Sequence, residues 1–135
     1  MLKTICYTSK VKPNIDIMGL EALFNETQAK NNTNNITGVL VKRDSTFFQI
    51  IEGQPNLIDI LFEKIKTDNR HSNILELVNN PITKLSFKDF NTNYTIIDDL
   101  DALYSLQDYL IHLENKDCES KAIFLQIIED LLSSD

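Results

Sequence analysis

Three side chains able to trade hydrogen bonds sit in apolar company: Tyr7 in "TICYTS", Gln49 in "TFFQIIEG" and Asn31 at the end of a helical stripe. Gln49 interrupts a run of Phe47, Phe48, Ile50 and Ile51. A buried primary amide carries two donor hydrogens and a carbonyl acceptor. Left unpaired, such a group costs about 1–3 kcal/mol. Side chains alternate across a strand, so Ile5 and Tyr7 share one face, opposite Cys6, and Phe47, Gln49 and Ile51 share another. If the two strands are neighbours, a phenol and an amide meet between sheet and helix, and Asn31 points at the same place. A flat polar ring with carbonyl and N–H edges would satisfy these amides better than water would. Each residue alone has an ordinary explanation: a buried tyrosine bonded to a carbonyl, a glutamine on a wet face, an asparagine capping a helix. Their convergence is the signal, and spacing by itself names no ligand.

Other chemistry is poorly supported. The chain has no Gly-rich phosphate loop and no GxSxG elbow. His71 and His112 fit no metal-ligand spacing, and no metal is expected. Cys6 and Cys118 lie far apart, and Cys6 reads as a buried reduced thiol. A net charge of −7 argues against sequence-independent nucleic-acid binding, which needs clustered cations, and against docking on anionic lipid. The first residues form too short an apolar run for a signal peptide, and no segment is long enough to span a bilayer. A cytoplasmic protein is expected.

The elements that must position the three residues follow from patterning. At 135 residues the chain reads as one domain with a single real core. A strand over Lys3–Ser9 precedes a turn, and Asp16 is a plausible cap for a helix. Leu20, Leu23, Phe24, Thr27 and Asn31 share one face of that helix. Strands follow at Ile36–Val41 and Thr46–Glu52, joined by a polar turn of hairpin length at Lys42–Ser45. Pro55 suits the first turn of a second helix, with Leu57, Ile58, Leu61, Phe62 and Ile65 as its stripe. "KTDNRHSN" reads as a polar loop, Ile74–Val78 as a fourth strand, Asn79-Asn80-Pro81 as a turn and Leu85–Tyr94 as a fifth strand. Asp98–Leu113 and Glu119–Leu132 read as two further helices. The expected fold is α+β, a ferredoxin-like β-α-β-β-α-β sheet with a fifth strand and two C-terminal helices. The helix pair is expected to cover the second sheet face, since the strands are apolar on both sides.

The chain resembles the BLUF family, the blue-light sensors using flavin, from about Met1 to Asn93. The likeness is carried by "ICYTS", "NETQAKNNTNNITGVLVKRDSTFFQIIEGQP", "FEKIKTDNRHSNILEL" and "NPITKLSFKDF". It implies a flavin-binding domain over 1–95 and a C-terminal helical extension over 96–135, as in short stand-alone members. It implies FAD as cofactor, with Gln49 between Tyr7 and the C4=O/N5 edge of the ring and Asn31 on its polar edge. Leu23 and Ile65 would sandwich the ring. Thr27 lies on the same helix face. Lys30 and Lys64 match polar or basic flavin contacts, and Asp68, Arg70 and His71 fall in a loop near the ring's outer edge.

The implied activity is a light switch and not turnover. An electron and a proton leave Tyr7 through Gln49 and return, and the amide is left rearranged by rotation or tautomerism. Many relatives carry Trp-x-Met in the fifth strand, where this chain has Phe90 and Thr92, which become the expected signal relay. Output is expected through protein contacts, in a homo-oligomer or with a separate effector. Two rival readings differ in kind. An acylphosphatase-like enzyme would need an arginine in a phosphate-cradling loop after the first strand, where only Lys10 and Lys12 occur. A non-photoactive interaction module would leave Tyr7 and Gln49 merely satisfying each other.

Overall fold

The computed structural model describes residues 1–12, 35–90 and 94–133. The first expected helix, with Leu23, Thr27, Lys30 and Asn31, lies outside the described residues, as does Thr92. Five strands form one sheet in the order β4-β1-β3-β2-β5. They are β1 (Leu2–Val11), β2 (Thr37–Arg43), β3 (Thr46–Gly53), β4 (His71–Ile82) and β5 (Tyr94–Ile97). Three α-helices are described, α1 (Pro55–Thr67), α2 (Leu100–His112) and α3 (Lys121–Ser133). The fold is α+β, and β1 and β3 are direct antiparallel neighbours, with Tyr7 opposite Gln49.

Local sequence explains the element ends. Asp44 takes φ 55 in the two-residue turn between paired Arg43 and Thr46, a conformation that Asp tolerates. Pro55 sits at the start of α1. Asp99 caps α2, its side chain accepting from the Ala102 N–H at 2.8 Å.

Two expectations about the fourth and fifth strands need correction. Asn79, Asn80 and Pro81 do not turn the chain; they continue β4, paired with Ile5, Thr4 and Lys3. β4 lies at the sheet edge, where a proline's missing N–H costs no ladder bond. Residues 85–90 form no strand, and the described fifth strand is Tyr94–Ile97. The cause is Glu52, 1% exposed at the end of β3. Its carboxylate accepts the backbone N–H groups of Ser86 at 3.0 Å and Phe87 at 2.9 Å, plus the Thr37 hydroxyl at 2.9 Å. The segment folds over this acceptor instead of pairing with a strand.

The sheet buries both faces. On one, Cys6, Val39, Val41, Phe48 and Ile50 pack in one cluster with Leu103, Leu106 and Leu110 of α2 and Phe124, Ile128 and Leu131 of α3. On the other, Ile5, Tyr7, Leu40, Phe47, Ile51 and Tyr94 pack with Ile58 and Phe62 of α1. A two-sided apolar sheet thus has its residues sorted by strand alternation, as the sequence required.

Candidate functional site

Gln49 lies on the α1 side of the sheet, 2% exposed. Its amide is held from both ends: the Tyr7 hydroxyl donates to Oε1, and Nε2 donates to the Tyr94 hydroxyl. Both phenols are buried. Burial pushes the Tyr7 hydroxyl well above its ordinary 10.0, and Tyr94, Asp68 and Cys6 add to the shift. Tyr7 is therefore a neutral donor. Its ring lies 5.8 Å from the Phe62 ring and 6.2 Å from the His71 ring, centroid to centroid.

Tyr94 was not foreseen as a partner of Gln49. The sheet register explains how it arrives. Tyr94 stands opposite Gly38 and Ile96 opposite Leu40 across β2, while Gly38 and Leu40 stand opposite Ile51 and Gln49. All six belong to one face. Gly38 carries no side chain, so the Tyr94 ring passes over β2 to reach the amide. The signal available in the sequence was "YTII", a β-favouring run directly after "NTN".

The end of α1 and the start of β4 supply the rest of the described site. His71 is buried, with Nδ1 2.7 Å from the Ser9 hydroxyl and Nε2 2.8 Å from the Ile65 carbonyl. The carbonyl can only accept, so Nε2–H donates to it, and Nδ1 shares a hydrogen bond with the Ser9 hydroxyl. The imidazole ties β1, α1 and β4 together beside Tyr7. Asp68 follows α1 and pairs with Arg70 through Nε at 3.0 Å and Nη2 at 2.6 Å. The Arg70 hydrogen bonds hold the Asp68 carboxyl below its ordinary 3.8 against the opposing push of partial burial. Ile65 is half-buried against the Tyr7 cluster, whereas Lys64 is exposed. Phe90 stands apart, buried on the opposite sheet face, its ring 4.9 Å from that of Tyr109. Among the described residues no cluster of His, Cys, Asp or Glu could hold a metal.

The donor set fits a flavin. Gln49 uses one Nε2 hydrogen and one Oε1 lone pair on the two tyrosines. By its inventory a second hydrogen remains, with no partner among the described residues. That hydrogen is the kind of donor a ring carbonyl or ring nitrogen takes up. Phe62 and Ile65 supply the apolar surface an aromatic ring needs.

Comparison with known proteins agrees with this fit. Residues 2–93 match the family model BLUF, sensors of blue-light using FAD. The blue light- and temperature-regulated antirepressor BluF of Escherichia coli is 31% identical over 78 residues, which are 58% of this chain and 19% of that protein. The chain therefore spans about a fifth of that relative's length. A solved structure of BlrB, a BLUF protein in its dark state, is 26% identical with a TM-score of 0.71, covering 98% of this chain and 97% of that one. Klebsiella pneumoniae BlrP1 with FMN and cyclic diGMP is 27% identical with a TM-score of 0.74, covering 96% of this chain and 35% of that one.

Proposed function

The chain belongs to the BLUF family of flavin-binding blue-light sensors, and on that premise we propose that it binds FAD and switches through Tyr7 and Gln49. It is a photoreceptor and not an enzyme. The observation that carries the switch is the buried Gln49 amide, held between two phenols, with a second Nε2 hydrogen that has no partner among the described residues.

Bound flavin would supply the blue absorption and, once excited, an acceptor for one electron and one proton. Tyr7 is placed to release both: its hydroxyl proton would move to Gln49 Oε1 while an Nε2 hydrogen would leave the amide toward the ring. Both would return to Tyr7 by the reverse path, so nothing would be consumed. The amide, a donor at one end and an acceptor at the other, can come to rest rearranged, by rotation or tautomerism. Two arrangements with equal numbers of bonds form a bistable element.

Tyr7, Gln49, Asn31, Leu23, Thr27, Lys30, Lys64, Ile65, Asp68, Arg70 and His71 make up the proposed binding set. His71 and the Asp68–Arg70 pair brace the loop after α1, which keeps Ile65 facing Tyr7. Residues 1–95 form the proposed sensing unit and 96–135 the output extension. Phe90 and Thr92 are the proposed relay, and Phe90 touches α2 through Tyr109. Signal would leave through contacts with a second copy or an effector, in the cytoplasm. Among the described residues no helix is long and apolar enough to cross a membrane.

The test is the flavin itself. The purified protein is expected to be yellow, and denaturation to release FAD on chromatography. Release of FMN would correct the cofactor's form. A colourless protein that cannot be loaded with either flavin would refute the reading.

A further inference from the structure

We propose that Tyr94 is a positioning residue of the switch: it closes a Tyr7–Gln49–Tyr94 hydrogen-bond chain whose polarity reverses when Gln49 turns, carrying the change onto the edge strand β5. The proposal rests on the photosensor reading above and adds a residue to it.

The chain has a direction. Tyr7 O–H donates to Oε1, and Nε2–H donates to the Tyr94 oxygen. Rotation of the amide by half a turn brings Nε2 to Tyr7 and Oε1 to Tyr94. Tyr7 must then accept and Tyr94 must donate. A phenol can do either, having one hydrogen and two lone pairs. A donor-only group such as an indole would be satisfied in one orientation and face N–H against N–H in the other. With a phenol at each end, both orientations make the same two bonds. The energy gap between them is left to the surroundings, which is the property a switch needs. No covalent bond forms or breaks in this reversal; one amide torsion and two hydroxyl torsions change.

The sheet gives the reversal somewhere to go. Tyr94 is the first residue of β5, fully buried and paired in parallel with Gly38. It reaches Gln49 across two strand spacings, about 9.6 Å. Ile97, three residues on, is buried in the cluster that holds Leu103 and Leu106 of α2. Among the described residues β5 is the shortest strand, four residues at the sheet edge paired with β2. A change of role at Tyr94 thus acts on the segment that leads directly into α2.

The two chemistries of amide rearrangement differ at Tyr94. Rotation inverts its role from acceptor to donor. Tautomerisation in place keeps an N–H at Nε2 and leaves Tyr94 an acceptor.

The experiment is light-minus-dark infrared spectroscopy of the flavin-loaded protein grown with tyrosine carrying carbon-13 at the phenolic carbon. The wild-type protein is expected to show two tyrosine C–O difference pairs of opposite sign, one for each phenol. In Tyr94→Phe the flavin red shift should persist and one pair should vanish. Hydrogen exchange at the amides of Thr95, Ile96 and Ile97 should respond to light in the wild type and lose that response in the variant. A normal flavin shift with a single tyrosine pair, unchanged in Tyr94→Phe, overturns the proposal and leaves the photosensor reading standing. No flavin shift in the wild type refutes that reading and the proposal with it. Should Tyr94→Phe fail to hold flavin, the Tyr104→Phe/Tyr109→Phe double variant decides, since it leaves only Tyr7 and Tyr94: two pairs support the relay and one pair overturns it.

Discussion

Replacing Gln49 by Leu while keeping both tyrosines takes one hydrogen-bond partner from each phenol. Gln49→Leu removes an acceptor from Tyr7, 3% exposed, and a donor from Tyr94, 0% exposed. Each lost bond is worth about 0.5–1.5 kcal/mol net, and a buried polar group left without a partner costs about 1–3 kcal/mol. The leucine returns part of this through its apolar surface, so the single variant's total mixes opposing effects. The coupling between positions is cleaner. In a Tyr7→Phe background the hydroxyl that Gln49→Leu would strand is already gone. The second change should therefore cost about 1–3 kcal/mol less there than in the wild-type protein. The assay is urea unfolding in the dark of the wild type, both single variants and the double variant. Flavin is held at a fixed excess, and each variant's Kd is measured so that the ligand contribution can be subtracted. Additivity within about 0.5 kcal/mol would mean that no bond of consequence joins Tyr7 to Gln49, and the relay reasoning would fail.

Asn31→Ala should weaken flavin affinity by about 5- to 150-fold, the equivalent of a stranded polar ring edge at 1–3 kcal/mol; unchanged affinity in equilibrium dialysis would remove Asn31 from the binding set. Gly38→Ala should destabilise by about 2–6 kcal/mol through backbone strain and overpacking together, because Gly38 has φ +143 and an added Cβ would lie 2.0 Å from the Ile50 carbonyl oxygen. Its unfolding midpoint and flavin content read this out, and a wild-type midpoint would contradict it. Glu52→Gln tests the loop clamp and its pH dependence. Burial raises the Glu52 carboxyl above its ordinary 4.5, against hydrogen bonds from Ser86, Phe87 and Thr37 that lower it. With a raised folded value, its contribution to stability is fully present below the unfolded value and is lost as pH rises through the folded one. The stability of the wild type relative to Glu52→Gln should therefore grow as pH falls from 7 towards 4.5, and a flat difference over that window would refute the assignment.

Much of the site was legible because strand alternation is a strict rule. The sorting of Cys6 from Tyr7, and of Phe48 and Ile50 from Gln49, follows from a period of two. The β1–β3 adjacency comes with the split βαβ order, and together they place Tyr7 opposite Gln49. What escaped depended on contacts distant in sequence. Residues 85–90 look like a strand because Leu85 and Phe87 alternate with polar residues, but a carboxylate more than thirty residues earlier claims the N–H groups of Ser86 and Phe87. With that segment bent, the described strand is Tyr94–Ile97. The phenol's reach to Gln49 then depends on Gly38 in a third strand. Asn80 and Pro81 carry turn chemistry, and only the position of β4 at the sheet edge lets them stay extended.

The most direct test is the absorption spectrum of the flavin-loaded wild-type protein before and after blue light, with Tyr7→Phe measured beside it at equal flavin content. The account predicts a red shift in the wild type that reverses in the dark with the flavin still oxidised, and no shift in Tyr7→Phe. A wild-type spectrum indifferent to light, or a normal shift in Tyr7→Phe, would contradict it.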